Sequence, residues 1–293
     1  MNNFRYFSPR NLNEALALLE ELGENAFIMA GGTDLLIRVK KREINPVCII
    51  DLKRIPQLDS ILYDDNTGLK IGALASIADI EKNSLISNQY GALAEAASSI
   101  GSVQIRNKGT IGGNLCNASP SADLAPPLIV MNATIRILGK AGERTIKVED
   151  FFLSPGKTVL KHDELLTAVQ VPNLPLRSSA TYLKFSRRGG MDLAIVGVAS
   201  LLAINADSKC ELARIAMGAV APTPLRAKKA ETLITGKKIS DEVTEEVAQT
   251  ASEEAKPISD IRASANYRRE IIRVLVKKSI SISLQRIESR FYR

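Results

Sequence analysis

The stretch TIGGNLCNASPSAD at Thr110–Asp123 decides how the rest of the chain is interpreted. It joins a Gly-Gly pair to a dense run of small polar side chains and ends on a carboxylate. A shorter stretch upstream, AGGTD at 30–34, repeats the same plan. Glycine lets the backbone approach an anion closely and adopt a positive φ. The two stretches therefore predict two walls of one site for a phosphate-bearing ligand.

Hydroxyl, amide and carboxylate side chains flank both Gly-Gly pairs. Thr33 and Thr110 can donate hydrogen bonds to phosphate oxygens, and Asn114 can donate from its amide. Asp34 and Asp123 would repel a phosphate, and they fit sugar hydroxyls or helix N-caps better. Neither stretch matches GxGxxG or GxxxxGK[ST], which disfavours a Rossmann dinucleotide site and a P-loop NTPase.

The bulk composition is that of a soluble globular protein of about two domains. The chain has 293 residues, of which 45% are hydrophobic and 24% charged. Neither a signal peptide nor an apolar run long enough for a bilayer is visible, so we expect a cytoplasmic protein with no membrane segment. His162 is the only histidine, and the three cysteines lie far apart. We therefore expect no metal site and no catalytic side chain in this chain.

The net charge of +7 comes from 39 basic and 32 acidic residues, with much of the excess between residues 262 and 293. A solvated or partner-facing helix explains this excess without nucleic acid. The alternative, a basic protein that binds nucleic acid through its C-terminal helices, has no zinc finger, RNP motif or aromatic–basic interleaving to support it. We expect no nucleic-acid partner.

The first 55 residues predict a small α/β unit. Apolar residues recur on one face of a helix over Asn11–Leu22. Buried strands are predicted at Ala26–Ala30 and Val47–Asp51. After the first of these strands, the chain is expected to turn at Gly31-Gly32 and to continue as a helix near Thr33–Val39.

Residues 56–175 predict a larger unit with a mixed sheet. Paired strands are expected at Leu58–Tyr63 and Leu69–Ile71, joined by a polar turn. A helix near Ala122–Met131 is expected to be interrupted by Pro126-Pro127. Leu165–Val171 is an apolar strand that closes the unit.

The remaining residues, 176–293, predict an α+β domain. Pro172–Ser179 is typical of a linker. An antiparallel meander packed under helices is expected after it. The predicted strands are Tyr182–Arg187, Ile195–Ile204 and Cys210–Val220, and the predicted helices lie near Pro224–Ile234, Asp241–Ala255 and Ala265–Gln285.

Five segments resemble the FAD-binding subunit of the molybdenum hydroxylases, the family of xanthine, nicotinate and CO dehydrogenases. The likeness extends over essentially the whole chain, and the TIGGN…ASPxAD string is its most specific part. The segments are AGGTDLL at 30–36, QIRNKGTIGGNLCNASPSADLAPPL at 104–128, DELL at 163–166, YLKFSRRGGMDLAIV at 182–196 and SDIRASANYRR at 259–269.

The resemblance implies an α+β fold with a two-part FAD-binding domain of the PCMH type. This domain would span 1–175, with a small α/β part at about 1–55 and a mixed-sheet part at 56–175. A C-terminal flavoprotein domain of α+β class, with an antiparallel meander and helices, would span 176–293.

The resemblance also implies which residues hold FAD. Phe27–Asp34 and Gly109–Asn114 would form two FAD loops close to the pyrophosphate. Ser119 and Asp123 would hold the sugar or ribityl chain. The implied set is Phe27, Ile28, Met29, Ala30, Gly31, Gly32, Thr33, Asp34, Ile100, Gly109, Thr110, Ile111, Gly112, Gly113, Asn114, Ser119, Asp123, Leu165, Leu166 and Lys184.

Three further positions in this set have individual roles in the resemblance. Leu165 or Leu166 would contact the adenine end of FAD. Lys184 would lie near the polar edge of the flavin ring. Ile100 occupies a place where some relatives carry an aromatic side chain against the ring, so the stacking contact differs here.

The function implied is that of an oxidoreductase subunit that transfers electrons. Electrons would arrive from [2Fe-2S] centres on a small partner subunit, after substrate is hydroxylated at a molybdopterin centre on a large partner subunit. FAD would pass them to NAD(P)+ or another acceptor. A purine such as xanthine is the first substrate expected, and nicotinate or another N-heterocycle is the alternative. A stand-alone FAD-dependent reductase or oxidase, with its own pocket in the tail domain, also stays open.

Overall fold

The structure is a computed structural model that describes residues 3–291; Arg293, the last residue of the basic tail, lies outside them. The strands are β1 Arg5–Phe7, β2 Ala26–Met29, β3 Cys48–Asp51, β4 Ile61–Asp64, β5 Gly68–Gly72, β6 Thr134–Gly139, β7 Gly142–Lys147, β8 Phe152–Ser154, β9 Lys157–Thr158, β10 Leu165–Val171, β11 Ser178–Phe185, β12 Val196–Ile204, β13 Cys210–Gly218 and β14 Leu225–Arg226. The helices are α1 Leu12–Leu22, α2 Leu35–Lys40, α3 Ile77–Lys82, α4 Ser84–Gln89, α5 Gly91–Ser98, α6 Val103–Arg106, α7 Ile111–Cys116, α8 Ala125–Val130, α9 Lys228–Ile234, α10 Asp241–Glu254 and α11 Ala265–Phe291. The fold is α+β, as the sequence predicts.

A small parallel sheet in the order β1-β3-β2 forms the first unit. Helix α1 begins at Asn11, whose side chain accepts a hydrogen bond from the Glu14 amide at 2.9 Å. It ends at Gly23, where φ is +55°, a conformation that glycine adopts without strain. Because β2 runs parallel to β3, the AGGT loop leaves the sheet at the carboxyl ends of its strands.

A five-stranded antiparallel sheet in the order β4-β5-β10-β6-β7 forms the second unit. Strand β10 lies at its centre and pairs with β5 and β6. Strand β10 is the last strand of the unit in sequence, but it lies between β5 and β6 in the sheet. Its first residue, Leu165, therefore lies beside the segment that follows β5. This arrangement places the chain before β10 next to the two glycine-rich stretches.

The third sheet is the antiparallel meander β11-β12-β13-β14. Every residue of β12 is buried, because α9, α10 and α11 cover one face and α5 and α8 cover the other. Strand β11 begins at Ser178, inside the stretch predicted as a linker. The predicted start of this strand, Tyr182, was therefore four residues too late.

One prediction about the helices was wrong, and one helix was missed. Pro126 and Pro127 do not interrupt α8, because they lie in its first turn, where no intrahelical donor is needed. A helix that the sequence analysis did not predict, α7 at Ile111–Cys116, follows Thr110, which is its N-cap.

The basic residues of α11 are largely turned toward acidic groups of the same chain. Arg273 pairs with Glu245 at 2.9 Å, and the buried Arg268 pairs with Asp260 at 2.8 Å. Internal pairing of this kind accounts for part of the tail's charge. Over residues 3–291, no helix combines the length and apolar character needed to cross a bilayer.

Candidate functional site

A cleft of about 340 Å³ separates the small parallel unit from the five-stranded unit. Both glycine-rich stretches line it, together with the chain that enters β10. Its walls are mainly aliphatic, and its polar groups come from the two loops, from Arg38 of α2 and from Glu164 before β10. Ligand sites commonly have this character, an apolar hollow with a few convergent polar groups.

The two Gly-Gly pairs face each other because glycine leaves room for backbone contact. A Cβ atom on Gly31 would lie 1.8 Å from the carbonyl oxygen of Lys108. A Cβ atom on Gly113 would lie 3.0 Å from the Thr110 hydroxyl oxygen and 3.9 Å from the Cβ atom of Ala30. The prediction that both stretches form walls of one hollow is therefore confirmed by their geometry.

The physical reason expected for the second pair was wrong. Neither Gly112 nor Gly113 has a positive φ, since both lie in the first turn of α7. Their amides are also already used: the Gly112 N–H donates to the Ala73 carbonyl at 2.9 Å, and the Gly113 N–H donates to the Thr110 hydroxyl at 3.0 Å. A Cβ atom on Gly112 would lie 2.7 Å from that Ala73 oxygen. These glycines serve close packing of the chain against itself.

The first loop differs, because its amides are open. None of the N–H groups of residues 31–34 is bonded to another group of the described chain. Gly32 has a φ of +74°, which favours glycine. Thr33 and the exposed Asp34 side chain add a hydroxyl and a carboxylate to the same wall. This loop presents several donors to a ligand, whereas the second loop offers side chains.

The donors and acceptors of the cleft suit a flavin nucleotide. The amide oxygen of Asn114 is buried with no hydrogen-bond partner among the described residues. A buried acceptor without a partner costs roughly 1–3 kcal/mol, so a ligand hydroxyl or N–H group would relieve it. The open amides of the first loop suit phosphate oxygens, and the aliphatic walls suit rings. The residues present therefore fit FAD.

Fifteen of the twenty residues predicted for FAD line the cleft. The other five are Met29, Ile111, Ser119, Asp123 and Lys184. Met29 and Ile111 are buried beneath the two loops. Ser119 closes a local turn, in which its hydroxyl accepts from the Ser121 amide at 3.3 Å.

Asp123 and Lys184 form a buried ion pair behind the cleft. The Lys184 ammonium lies 2.8 Å from one carboxylate oxygen, and the Tyr182 hydroxyl donates to the other at 2.6 Å. Lys184 also donates to the Ser99 carbonyl at 2.9 Å, next to Ile100, which lines the cleft. Burial raises the pKa of the Asp123 carboxyl, and the ammonium beside it acts in the opposite direction. The pair thus fixes the backbone that carries Ile100.

The wall before β10 is held by a second ion pair. Arg144 binds both carboxylate oxygens of Glu164, at 2.9 and 2.7 Å, and donates to the Val159 carbonyl at 3.2 Å. The Lys161 amide also donates to Glu164, at 2.9 Å. The Arg144 guanidinium is the main reason that the pKa of Glu164 lies below its usual value. Leu160 and Leu165 are held on the cleft by this arrangement.

The structure adds cleft residues that the sequence motifs missed. Arg38 lies one helical turn after Asp34, so helical spacing was a signal that could have found it. Ile77 reaches the cleft by packing against the distant Gly109, which leaves no local signal, whereas Ile105 lies only one helical turn before Gly109. Cys116 also lines the cleft, and its side chain is exposed.

Two protein-family models match the chain. Residues 2–174 match the FAD binding domain in molybdopterin dehydrogenase, and residues 180–282 match the CO dehydrogenase flavoprotein C-terminal domain. The chain belongs to the family of FAD-binding subunits of the molybdenum hydroxylases. It is thus a flavoprotein subunit of a molybdenum-containing oxidoreductase, and relatives of this kind have molybdenum and iron–sulfur cofactors in partner subunits.

Similar chains of this family cover nearly the full length. The glyceraldehyde dehydrogenase medium chain of Sulfolobus acidocaldarius is 36% identical over 276 residues, which is 94% of this chain and 96% of that one. The xanthine dehydrogenase FAD-binding subunit of Escherichia coli O157:H7 is 32% identical over 94% of both chains. A solved structure of carbon monoxide dehydrogenase from Hydrogenophaga pseudoflava superposes with a TM-score of 0.93 at 33% identity, covering 97% of this chain and 98% of that one.

Proposed function

We propose that this chain carries electrons between an iron–sulfur partner and a diffusible acceptor, with FAD held in the cleft between the two glycine-rich loops. The observation that carries the proposal is the cleft itself, where open amides, an unpartnered amide oxygen and aliphatic walls lie together. FAD, when bound, accepts electrons and passes them to NAD(P)+ or another acceptor. The chain's own residues bind and orient it.

The two loops divide that task. The open amides at 31–34 suit the pyrophosphate, and Thr110 and Asn114 of the second loop suit polar groups elsewhere on FAD. The wall at Leu165 and Leu166 suits the adenine end, as the resemblance implies. A role for Ser119, Asp123 or Lys184 in direct contact with FAD stays a prediction. From their positions, we infer that Asp123 and Lys184 act by fixing Ile100.

The partners proposed are a small [2Fe-2S] subunit and a large molybdopterin subunit, in a cytoplasmic heterotrimer. The support is the likeness to subunits with names such as medium chain and FAD-binding subunit, which belong to multi-subunit dehydrogenases. The three cysteines Cys48, Cys116 and Cys210 are all free, in keeping with a reducing compartment.

For the substrate of the complex we propose a purine such as xanthine, with nicotinate as the alternative. The xanthine and nicotinate dehydrogenase relatives are 32% and 31% identical to this chain, so identity separates them little. The relative named for glyceraldehyde is 36% identical and the one named for carbon monoxide 32%, so sequence identity does not single out a purine. Turnover of the purified complex with xanthine, nicotinate and glyceraldehyde would rank these classes.

Purification of the full chain, alone and with its partners, tests the proposed function. We expect the isolated chain to contain FAD in its visible absorption spectrum, and to show no oxidation of xanthine or nicotinate. The complex should turn over substrate and reduce the bound flavin. Turnover of an organic substrate by the isolated chain would contradict the subunit function and favour a stand-alone reductase or oxidase.

A further inference from the structure

Three charged side chains line the cleft, and two of them, Asp34 and Arg38, make no ion pair or side-chain hydrogen bond among the described residues. The third is Glu164, which is neutralised by Arg144 at 2.7 Å. Among the described residues, the Arg38 guanidinium makes no ion pair or hydrogen bond. Arg38 is therefore an available cation on a cleft whose proposed ligand carries two phosphate charges.

Arg38 also lies on the loop that has donors to offer. It is in α2, directly after the first glycine-rich loop, where the amides of 31–34 are open. In the second loop, the Gly112 and Gly113 amides already donate hydrogen bonds to the Ala73 carbonyl and the Thr110 hydroxyl. A pyrophosphate on the first loop would thus lie near open backbone N–H groups, the Arg38 cation and the Asp34 carboxylate, whereas the second loop offers the side-chain donors of Thr110 and Asn114 and no charged side chain on the cleft.

We propose that the Arg38 guanidinium binds the pyrophosphate of FAD and makes the first loop the main anion-binding wall. This inference rests on the proposed function, because it concerns the same cleft. A guanidinium presents several N–H donors in a planar fork that matches phosphate oxygens. Its position outside the AGGT motif explains why the motif alone did not point to it.

Equilibrium binding of flavins to the full-length apo chain tests the role of Arg38. Flavin fluorescence would be followed for FAD and for riboflavin, which lacks phosphate, with the native chain and with Arg38→Gln. We expect the substitution to weaken FAD binding roughly 10- to 100-fold, the range for a hydrogen bond to a charged group. Riboflavin binding should be unchanged. FAD binding should also become less sensitive to salt, because one screened charge contact is gone.

Two further variants make the result specific. Lys40→Gln removes a charge from the same helix at a position that does not line the cleft, and it should leave FAD affinity unchanged. Arg38→Lys keeps the positive charge but loses the planar set of guanidinium N–H donors, so its affinity for FAD should lie between those of the native chain and Arg38→Gln. Far-UV circular dichroism and the urea midpoint would show that each variant is folded.

The possible failures are distinguishable. Equal FAD affinity in the native chain and Arg38→Gln would overturn the inference and leave the proposed function standing. An equal loss for FAD and riboflavin, or an unchanged salt dependence, would overturn the assignment to the pyrophosphate. No FAD binding by the native chain would sink the proposed function itself.

Discussion

At the scale of single residues, the Asp123–Lys184 pair shows how a charge can support a site without lining it. Both side chains are less than a tenth exposed, and Tyr182 and the Ser99 carbonyl complete the hydrogen bonds. A buried charge is tolerated when its partner and hydrogen bonds are present, and it becomes costly when the partner is removed. The pair is therefore a point of high sensitivity in the fold.

Replacement of Lys184 by Met should destabilise the chain by about 3–5 kcal/mol, because Asp123 would be left buried and unpaired. Urea unfolding measures this change. Lys184→Met with Asp123→Asn should recover part of the loss, since no charge then remains. Lys209→Met, at an exposed position, is the matched control and should change little. A loss no larger for Lys184 than for Lys209 would contradict the structural role given to the pair.

Gly31 is the second sensitive residue, because its missing side chain makes room for the Lys108 carbonyl. Gly31→Ala should cost about 1–3 kcal/mol, the range for an overpacked site, and should also weaken FAD binding by moving the loops apart. Gly91→Ala is the control, because no atom lies within 4 Å of its added Cβ. Thermal unfolding and FAD titration of both variants would decide; similar behaviour of the two would contradict the close contact.

At the scale of elements, the segment before β10 depends on a charge that acid removes. The pKa of Glu164 is lowered, first of all by its hydrogen bonds from Arg144. A depressed carboxyl pKa contributes stability that is present above the unfolded-state pKa, about 4.3. This contribution is lost as pH falls through the lower pKa of the folded state.

The stability difference between the native chain and Glu164→Gln should therefore depend on pH. We expect the native chain to be the more stable above about pH 4.3, with a nearly constant difference, and the difference to shrink as pH falls below that value. Urea unfolding at a series of pH values measures it. A difference that stays constant into acid would show that the carboxylate charge of Glu164 contributes nothing.

Local patterns predicted most of the elements, and long-range contacts decided the rest. Strand β10 and helix α1 follow from apolar periodicity and capping. Helix α7 does not, because two glycines each disfavour a helix by about 1 kcal/mol relative to alanine. The contact of Gly112 with the Ala73 carbonyl, 39 positions upstream, allows the helix and is invisible to any local pattern.

The site divides in the same way. The glycines and their polar neighbours could be predicted, because the sequence contains two Gly-Gly pairs that are each followed by polar residues and an aspartate. Contact of Asp123 and Lys184 with FAD stays a prediction; the structure shows that the two side chains pair with each other and do not line the cleft. Which amides are open could not be predicted, since it depends on bridges between residues 73–77 and 109–112.

At the scale of the whole molecule, the C-terminal meander is packed on both faces. Helices α5 and α8 of the FAD-binding part share a core with one face, which includes Tyr182 and Ala199. The backbone amide of Tyr182 donates to the Glu95 carboxylate of α5 at 2.8 Å. Because of this shared core, the two parts should unfold together rather than as independent units.

A single cooperative unfolding transition is the expected consequence. Near-UV circular dichroism and intrinsic tyrosine fluorescence should report the same urea midpoint, the test of two-state behaviour. Two separate transitions would contradict the shared core.

An experimental structure of the full-length chain with FAD tests most directly whether the cleft holds the cofactor. We predict FAD in the cleft between Gly31–Asp34 and Thr110–Asn114, with its pyrophosphate at the open amides of the first loop and beside Arg38. FAD bound anywhere else on the chain, or a cleft that stays empty at saturating FAD, would contradict this prediction.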